Sequence, residues 1–211
     1  DGIDSEVFVV DNHSSDGSIE YLKPRFPKVI FIESNHNLGF ARANNMAIRQ
    51  AEGQYVLLLN PDTFVGEQTI KQAIEFMDQH PKAGGAGVKM FNTDGTKALE
   101  SRRGLPTPLT SFYKMCGLCS KFPESRRFGK YYMGYLSWDK PERIDIISGA
   151  FCLMRKEVLD KAMPELVFLQ GYAKSNLIEK LQALTTSTVA RVTHEEAITI
   201  LKNSGKDWQF K

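Results

Sequence analysis

The stretch from Tyr55 to Thr63 most constrains how this chain folds, because an apolar run ends there abruptly at polar residues. It reads Tyr-Val-Leu-Leu-Leu-Asn-Pro-Asp-Thr. A short continuous apolar run is typical of a strand covered on both faces, as in a parallel sheet, and Pro61 prevents the strand from continuing. The sequence therefore places Asp62 just beyond the carboxyl end of a buried strand.

Two roles are open for Asp62. In open α/β sheets the ligand crevice lies outside the carboxyl ends of the strands, where a carboxylate can meet a metal ion or a phosphorylated ligand. Alternatively, Asn-Pro-Asp is a plain turn, and Asp62 caps the helix predicted to begin at about Thr69. These residues alone favour neither role over the other.

A short strand, a polar loop and a helix follow one another three times in the first 81 residues. The predicted strands are residues 7–10, 29–33 and 55–60, and the predicted helices are residues 18–22, 40–51 and 69–80. Further strands are predicted at residues 86–91 and 144–155, the latter interrupted at Gly149, with loops and short helices at 99–143. Such a repeat predicts an α/β fold with a mainly parallel sheet and helices on both faces.

Composition excludes several classes of protein. A net charge of +2 is too small to indicate nucleic-acid binding, and no stretch approaches the roughly 18 apolar residues of a membrane span. The basic residues between 102 and 130 are open to two interpretations, contact with anionic lipid or a solvated surface. Cys116, Cys119 and Cys152 are too few for a disulfide framework or a zinc site, and we expect them to be core cysteines.

Four segments resemble motifs of the family 2 glycosyltransferases, which have the Rossmann-like GT-A fold, in their rhamnosyltransferase-like or bacterial cell-surface polysaccharide form. They are VVDNHSSDGS at residues 9–18, NLGFARANN at 37–45, LLNPDT at 58–63 and SGAF at 148–151. The resemblance covers residues 5–160. It implies transfer of a sugar from a UDP- or dTDP-linked donor to a saccharide or lipid-linked acceptor.

The first matching loop is implied to bind the nucleotide. Asp11 in such enzymes faces the base and the ribose, where a carboxylate can accept hydrogen bonds from an N–H or a hydroxyl group. Asn12, Ser15 and Asp16 belong to the same loop and are expected at the donor site. For Ser15 and Asp16 a structural role remains open, because both residue types also cap helices.

The other loops are implied to complete the donor site. Asn37 and Gly39 shape the second loop, and Arg42 on the first turn of the next helix is placed to touch the base or the diphosphate, or to be merely solvated. Asn60 stands where the family usually carries the first acid of its metal-binding motif. Gly149 would let the backbone approach a bound sugar closely, although a packing glycine is an equal explanation.

The resemblance also implies a divalent metal ion, Mg²⁺ or Mn²⁺. Asp62 matches the last acid of the family's metal-binding motif, and one or two carboxylates suffice when phosphate oxygens and water complete the shell. His194 lies in a segment similar to the one in which a histidine of the family joins the metal. A lone histidine is more often an ordinary surface residue.

The family's general base has no clear counterpart in this chain. Such enzymes carry a Glu-Asp pair about 20 residues beyond the Ser-Gly-Ala segment, and no Glu-Asp pair follows Arg155. Glu165 is the remaining candidate for the base of an inverting transfer. An alternative is a non-catalytic nucleotide- or sugar-binding module.

The resemblance also predicts how the chain is organised and where it works. Residues 1–160 are expected to form a GT-A nucleotide-sugar-binding domain that lacks the family's first strand. Residues 161–211 are expected to form a divergent segment. The family's setting implies a cytoplasmic protein at the inner face of the cell membrane, with peripheral membrane association.

Overall fold

The computed structural model describes residues 2–166, with side chains up to Ala162. Its strands are β1 (Phe8–Asp11), β2 (Ile30–Glu33), β3 (Tyr55–Leu59), β4 (Gly85–Ala86), β5 (Arg102–Arg103), β6 (Ile146–Ile147) and β7 (Phe151–Arg155). Its α-helices are α1 (Ser18–Leu22), α2 (Phe40–Ile48), α3 (Thr69–Gln79), α4 (Pro108–Met115), α5 (Leu118–Lys121) and α6 (Lys156–Leu166). A 3₁₀ turn spans Leu99–Ser101.

The described strands form three small sheets. β1 and β2 are parallel and in register from Phe8–Ile30 to Asp11–Glu33, so their carboxyl ends lie side by side. β7 lies between β3 and β4 and is antiparallel to both, and β5 pairs antiparallel with β6. The α/β class is confirmed, but strand pairing in the described residues is mixed rather than mainly parallel.

Strand β3 is buried on both faces, as the apolar run predicted. Val56 and Leu58 belong to a core cluster with β1 and with the α2 residues Ala43, Ala47 and Ile48. These helical residues recur at the spacing of one helix face, which places them against the sheet. Each large aliphatic side chain buried in this way contributes about 1.5–3 kcal/mol through the hydrophobic effect.

The opposite face of β3 packs against α3. Leu57 and Leu59 form a second cluster with Met77 of α3 and with Phe151 and Leu153 of β7. Because successive side chains of a strand point to opposite faces, five consecutive apolar residues supply both clusters. This arrangement holds the carboxyl end of β3 in place from two sides.

Two predicted strands differ from the structure. The strand predicted at residues 86–91 is only two residues long, Gly85–Ala86, and beyond it the chain leaves the sheet apart from an isolated bridge between Phe91 and Lys97. The strand predicted at 144–155 is two strands with different partners, β6 and β7. Gly87, just after β4, lies close to β6, because a Cβ atom there would be 2.7 Å from Cγ2 of Ile147.

The cysteines fit the core prediction only in part. Cys119 and Cys152 are buried, but Cys116 is exposed. Burial raises the pKa of the Cys152 thiol to about 12, so this thiol is neutral at physiological pH. Within residues 2–166, no helix is long and apolar enough to cross a membrane.

Candidate functional site

The carboxyl ends of β1 and β2 are joined by two asparagine side chains. The Asn12 amide nitrogen donates to Oδ1 of Asn37 at 2.9 Å, and its carbonyl oxygen accepts from the backbone N–H of Leu38 at 2.7 Å. Oδ1 of Asn37 also accepts from the N–H of Gly39 at 2.8 Å. The structure thus brings together Asn12, Asn37 and Gly39, which the sequence placed in two separate loops.

Replacing Asn12 by alanine is expected to separate these two loops. The change removes both bridging hydrogen bonds and should lower the free energy of unfolding by about 1–2 kcal/mol, because Asn37 and the Leu38 amide lose their partners. Urea denaturation measures the loss, and faster hydrogen exchange at the Leu38 amide locates it. Asn35→Ala, at an exposed position of the same loop, is the matched control. Equal stabilities of the two variants would contradict the bridging role.

The acids of the first loop hold their own backbone. Both Asp11 carboxylate oxygens accept from the N–H of Ser14, at 3.1 and 3.2 Å. Asp16 accepts from the N–H and the hydroxyl of Ser18 at the start of α1, and these hydrogen bonds lower the pKa of its carboxyl group. Ser15 is exposed between them. The N-cap residue of α1 is Gly17 and no side chain caps the helix, so neither Asp16 nor Ser15 is its cap, although Asp16 holds the first residue of the helix.

Helix α2 begins directly at the second loop. Gly39 precedes it with φ 74°, a left-handed value that favours glycine, so this residue sets the angle at which the helix leaves the loop. Arg42, in the first turn, is exposed. Among the described residues it has no hydrogen-bond or ion-pair partner. Its guanidinium group is therefore available to an anion.

Asn60, Pro61 and Asp62 form a tight turn at the end of β3. The N–H of Thr63 donates to the carbonyl of Asn60 at 3.1 Å, which closes the turn. Helix α3 has Gln68 at its N-cap position and no side-chain cap, so the interpretation of Asp62 as its cap is wrong. Asp62 is exposed and, within residues 2–166, its carboxylate has no partner.

The turn between β6 and β7 anchors this loop. The carbonyl of Ala150 accepts from the N–H of Asn60 at 3.1 Å and from the hydroxyl of Thr63 at 3.3 Å. A Cβ atom on Gly149 would lie 3.4 Å from Cζ of Phe40, so Gly149 lies against the first residue of α2. The packing explanation of Gly149 is therefore supported. All four sequence motifs are linked by direct contacts.

The carboxylate of Asp62 is of the kind that could hold a divalent metal ion. A small hard cation needs one or two carboxylates when a diphosphate and water supply its remaining ligands, and Asp62 is an unpaired carboxylate at a strand end. Among the described residues no group of three or more histidine, cysteine and acidic side chains is able to hold a metal by itself. His194 lies outside the described residues. Glu165 lies in the last turn of α6, and its side chain is outside the described part.

Three residues that join the motifs were missed by the sequence analysis, namely Phe40, Thr63 and Ala150. Thr63 and Phe40 stand inside motifs, so their positions were a signal that was not used. Ala150 acts through its backbone carbonyl, which no residue type reveals. Asn44 was also missed, although its side chain is 1% exposed and donates to the Phe40 carbonyl at 2.7 Å, stabilising the first turn of α2.

Known proteins are similar in sequence to parts of this chain. One relative is a Staphylococcus aureus poly(ribitol-phosphate) beta-N-acetylglucosaminyltransferase, TarS. It is 35% identical over 79 residues, which cover 36% of this chain and 14% of that protein. Another is a Mycobacterium tuberculosis N-acetylglucosaminyl-diphospho-decaprenol L-rhamnosyltransferase, 28% identical over 112 residues, which cover 48% and 36%. The chain thus spans well under two thirds of the length of these relatives.

Solved structures show the same fold. S. aureus TarS residues 1–349 in complex with UDP aligns with a TM-score of 0.50 and 22% identity, over 90% of this chain and 49% of that one. The mannosyltransferase PcManGT from Pyrobaculum calidifontis, in complex with GDP-Man and Mn²⁺, aligns with a TM-score of 0.50 and 18% identity, over 88% and 45%. These likenesses confirm the GT-A fold. Residues 1–162 match the family described as Glycosyl transferase family 2, and the chain belongs to that family.

Proposed function

We propose that this chain binds a nucleotide-diphosphate sugar at the carboxyl ends of β1, β2 and β3 and transfers the sugar to a saccharide or lipid-linked acceptor. The observation that carries the proposal is the unbroken series of contacts from Asn12 through Asn37, Phe40 and Gly149 to Asn60. The series joins loops that follow strands of two sheets, β1–β2 and β3–β7–β4. Ligands of open α/β folds bind at the carboxyl ends of the strands.

Each loop carries side chains suited to a different part of the donor. Asp11 and Asn12 offer oxygen acceptors to the base and ribose of a UDP- or dTDP-linked donor, with Ser15 and Asp16 on the same loop. Arg42 lies in the first turn of α2, where the helix N-terminus also favours an anion, and it faces the diphosphate.

Asp62 holds the metal ion in this proposal. Asp62, with His194 as a second proposed ligand, would hold Mg²⁺ or Mn²⁺, which would supply positive charge to the diphosphate. The carboxylate is preorganised for this role because the Asn60–Thr63 turn is closed by a backbone hydrogen bond and anchored on Ala150. Asn60 is itself buried, which keeps the turn from shifting.

The transfer is proposed to be inverting, with Glu165 as the general base that accepts the proton of the attacking hydroxyl group. α6, which carries Glu165, follows β7 without a break and runs across the predicted boundary between residues 160 and 161. The domain boundary at residue 160 and the lack of the family's first strand stay predictions.

The setting of the family favours a protein that acts at the cytoplasmic face of the membrane.

A non-catalytic binding module is the second candidate function. It is favoured by one observation, the lack of a Glu-Asp pair after Arg155. The enzyme and the binding module would hold the donor at the same site, but only the enzyme would transfer its sugar. Binding of the donor without release of the free nucleotide, unchanged in Glu165→Gln, would favour the module.

Titration calorimetry of the full chain with UDP- and dTDP-sugars and Mn²⁺ tests the proposal. We expect saturable binding with a dissociation constant of about 1 μM to 1 mM, the usual range for enzyme substrates, and loss of binding when EDTA removes the metal. A GDP-sugar serves as the control for base selectivity. A folded protein that binds none of the three donors would contradict the proposal.

A further inference from the structure

A basic cleft lies beside β4, on the edge away from β7. Its volume is ≈ 1100 Å³. Gly85 of β4 and Gly87 just after it are among the residues that line the cleft. Five cationic and two acidic side chains line it within the described chain: Lys82, Lys89, Arg102, Lys140 and Arg143 against Asp139 and Glu142.

A second cleft of ≈ 560 Å³ continues the first. The two share Ser137, Trp138 and Asp139 in their walls. The second adds Lys97 and Arg126, with Glu124 as its further acid. Together the two clefts form one elongated groove with an excess of positive charge, which we call the basic groove.

The ion pairs within the basic groove leave its cations accessible. Lys89 lies 3.3 Å from Asp139, whose side chain is 85% exposed, and Lys140 lies 3.4 Å from Glu142 while remaining 69% exposed itself. Exposed pairs of this kind contribute about 0–1 kcal/mol, because water screens them and both side chains lose freedom. An anionic ligand therefore replaces Asp139 and Glu142 as the partners of these lysines at little cost in free energy.

Arg102 is a buried charge without a paired carboxylate. Its side chain is 7% exposed, its two terminal nitrogens donate to the carbonyls of Ser137 and Leu136 at 2.7 and 2.9 Å, and its Nε has no partner within the described residues. Burial lowers the pKa of this guanidinium, opposed by the charge of Glu142. A buried cation bonded only to neutral carbonyls favours an anion in the adjoining space.

The basic groove leads to the donor site. Ile147 lines it, pairs with Arg102 across β5 and β6, and is followed directly by the turn at residues 148–150. That turn holds Asn60 and Thr63 through the Ala150 carbonyl. Through β6, the groove therefore adjoins the turn that anchors the loop carrying Asp62.

We propose that the basic groove binds the acceptor, and that the acceptor is a chain of sugar or polyol units carrying phosphate groups. This inference rests on the proposed glycosyltransferase function and adds the chemical class of the acceptor. The groove exceeds the roughly 300–1,000 Å³ of a typical small-molecule pocket, which suits several consecutive units. Lysine and arginine side chains spread along it match phosphates spaced along a chain.

The same charges attract nucleic acid less well. Single-stranded nucleic acid binds through bases stacked on aromatic rings. In the groove, the Trp138 ring already has the Arg102 guanidinium 3.9 Å from its centroid and the Lys97 ammonium 5.4 Å from it. The ring is therefore engaged by protein cations, and a polymer without bases is the better match.

Calorimetry of the full chain with a short glycerol phosphate oligomer tests the inference. The double variant Lys89→Gln/Lys140→Gln should bind this oligomer about tenfold more weakly than the unmodified protein, since two charge contacts of about 0.7 kcal/mol each are lost. The matched control is Lys28→Gln/Lys71→Gln, two exposed lysines outside the groove. Its affinity should be unchanged, and circular dichroism shows that both variants are folded.

Two further probes decide what the groove recognises. A neutral glucose oligomer of similar length should not compete, and single-stranded DNA should bind more weakly than the glycerol phosphate oligomer at equal ionic strength. Equal weakening by the two double variants, or equal affinity for DNA, would overturn the inference. If a UDP-sugar binds but the oligomer does not, the inference fails while the proposed function stands. If the UDP-sugar also fails to bind, the proposed function fails.

Discussion

Replacing Asp62 by asparagine is expected to weaken Mn²⁺-dependent binding of a UDP- or dTDP-sugar by about 100-fold, or about 2.7 kcal/mol. The variant keeps the size and shape of the side chain but removes the negative charge that we propose binds the metal ion. An amide oxygen is a weaker ligand than a carboxylate for Mg²⁺ or Mn²⁺. The fold should be unaffected, because Asp62 is exposed and has no partner among the described residues.

The measurement is titration calorimetry with and without Mn²⁺ for the variant and the unmodified chain. Asp94→Asn is the matched control, because it makes the same chemical change in an exposed turn where Asp94 accepts from Thr96. Metal-independent binding should be weak and similar for all three proteins. If Asp62→Asn and Asp94→Asn bind the donor equally well in the presence of Mn²⁺, Asp62 is not the metal ligand.

Replacing Phe151 by alanine is expected to lower the free energy of unfolding by about 3–5 kcal/mol, the usual cost of truncating a buried phenylalanine. Phe151 is 1% exposed, lies opposite Leu59 in the β3–β7 ladder and packs in the cluster under α3. The loss combines the transfer free energy of the ring with that of the cavity left behind. Such a loss is a large fraction of the stability of an ordinary domain.

Urea denaturation followed by circular dichroism measures this loss as a lower midpoint. Phe64→Ala is the matched control, because Phe64 is 90% exposed and its truncation should change stability by no more than about 0.5 kcal/mol. Donor affinity should also fall in Phe151→Ala under native conditions, since the preceding residue, Ala150, anchors the Asp62 turn. Similar midpoints for the two variants would mean that β7 does not hold the core together.

Local patterns in the sequence predicted β3 and its surroundings well. Five apolar residues followed by Asn-Pro-Asp were enough to locate a doubly buried strand and its end, because burial and the missing proline N–H are local properties. Helix α2 was also predicted, although it ends at Ile48 rather than near Ala51. Helix ends depend on the last few hydrogen bonds and are the least predictable part of an element.

Pairings between distant segments were not predictable in the same way. Nothing local indicates that β7 inserts between β3 and β4, or that residues beyond Ala86 leave the sheet. The insertion rests on backbone pairs between residues far apart in the sequence, such as Leu59 with Phe151 and Gly85 with Met154. The basic groove likewise gathers side chains from residues 82–143 that no motif unites.

The sequence by itself determined the α/β class, the resemblance to its family, and the residue types at each strand end, because these follow from local periodicity and motif order. Only the tertiary structure decided that Asp62 does not cap α3, that Asn12 bonds to Asn37, and that Ala150 anchors the turn that carries Asp62. The physical reason is that such contacts join backbone and side-chain atoms far apart along the chain. Their geometry exists only once both core clusters have packed against β3.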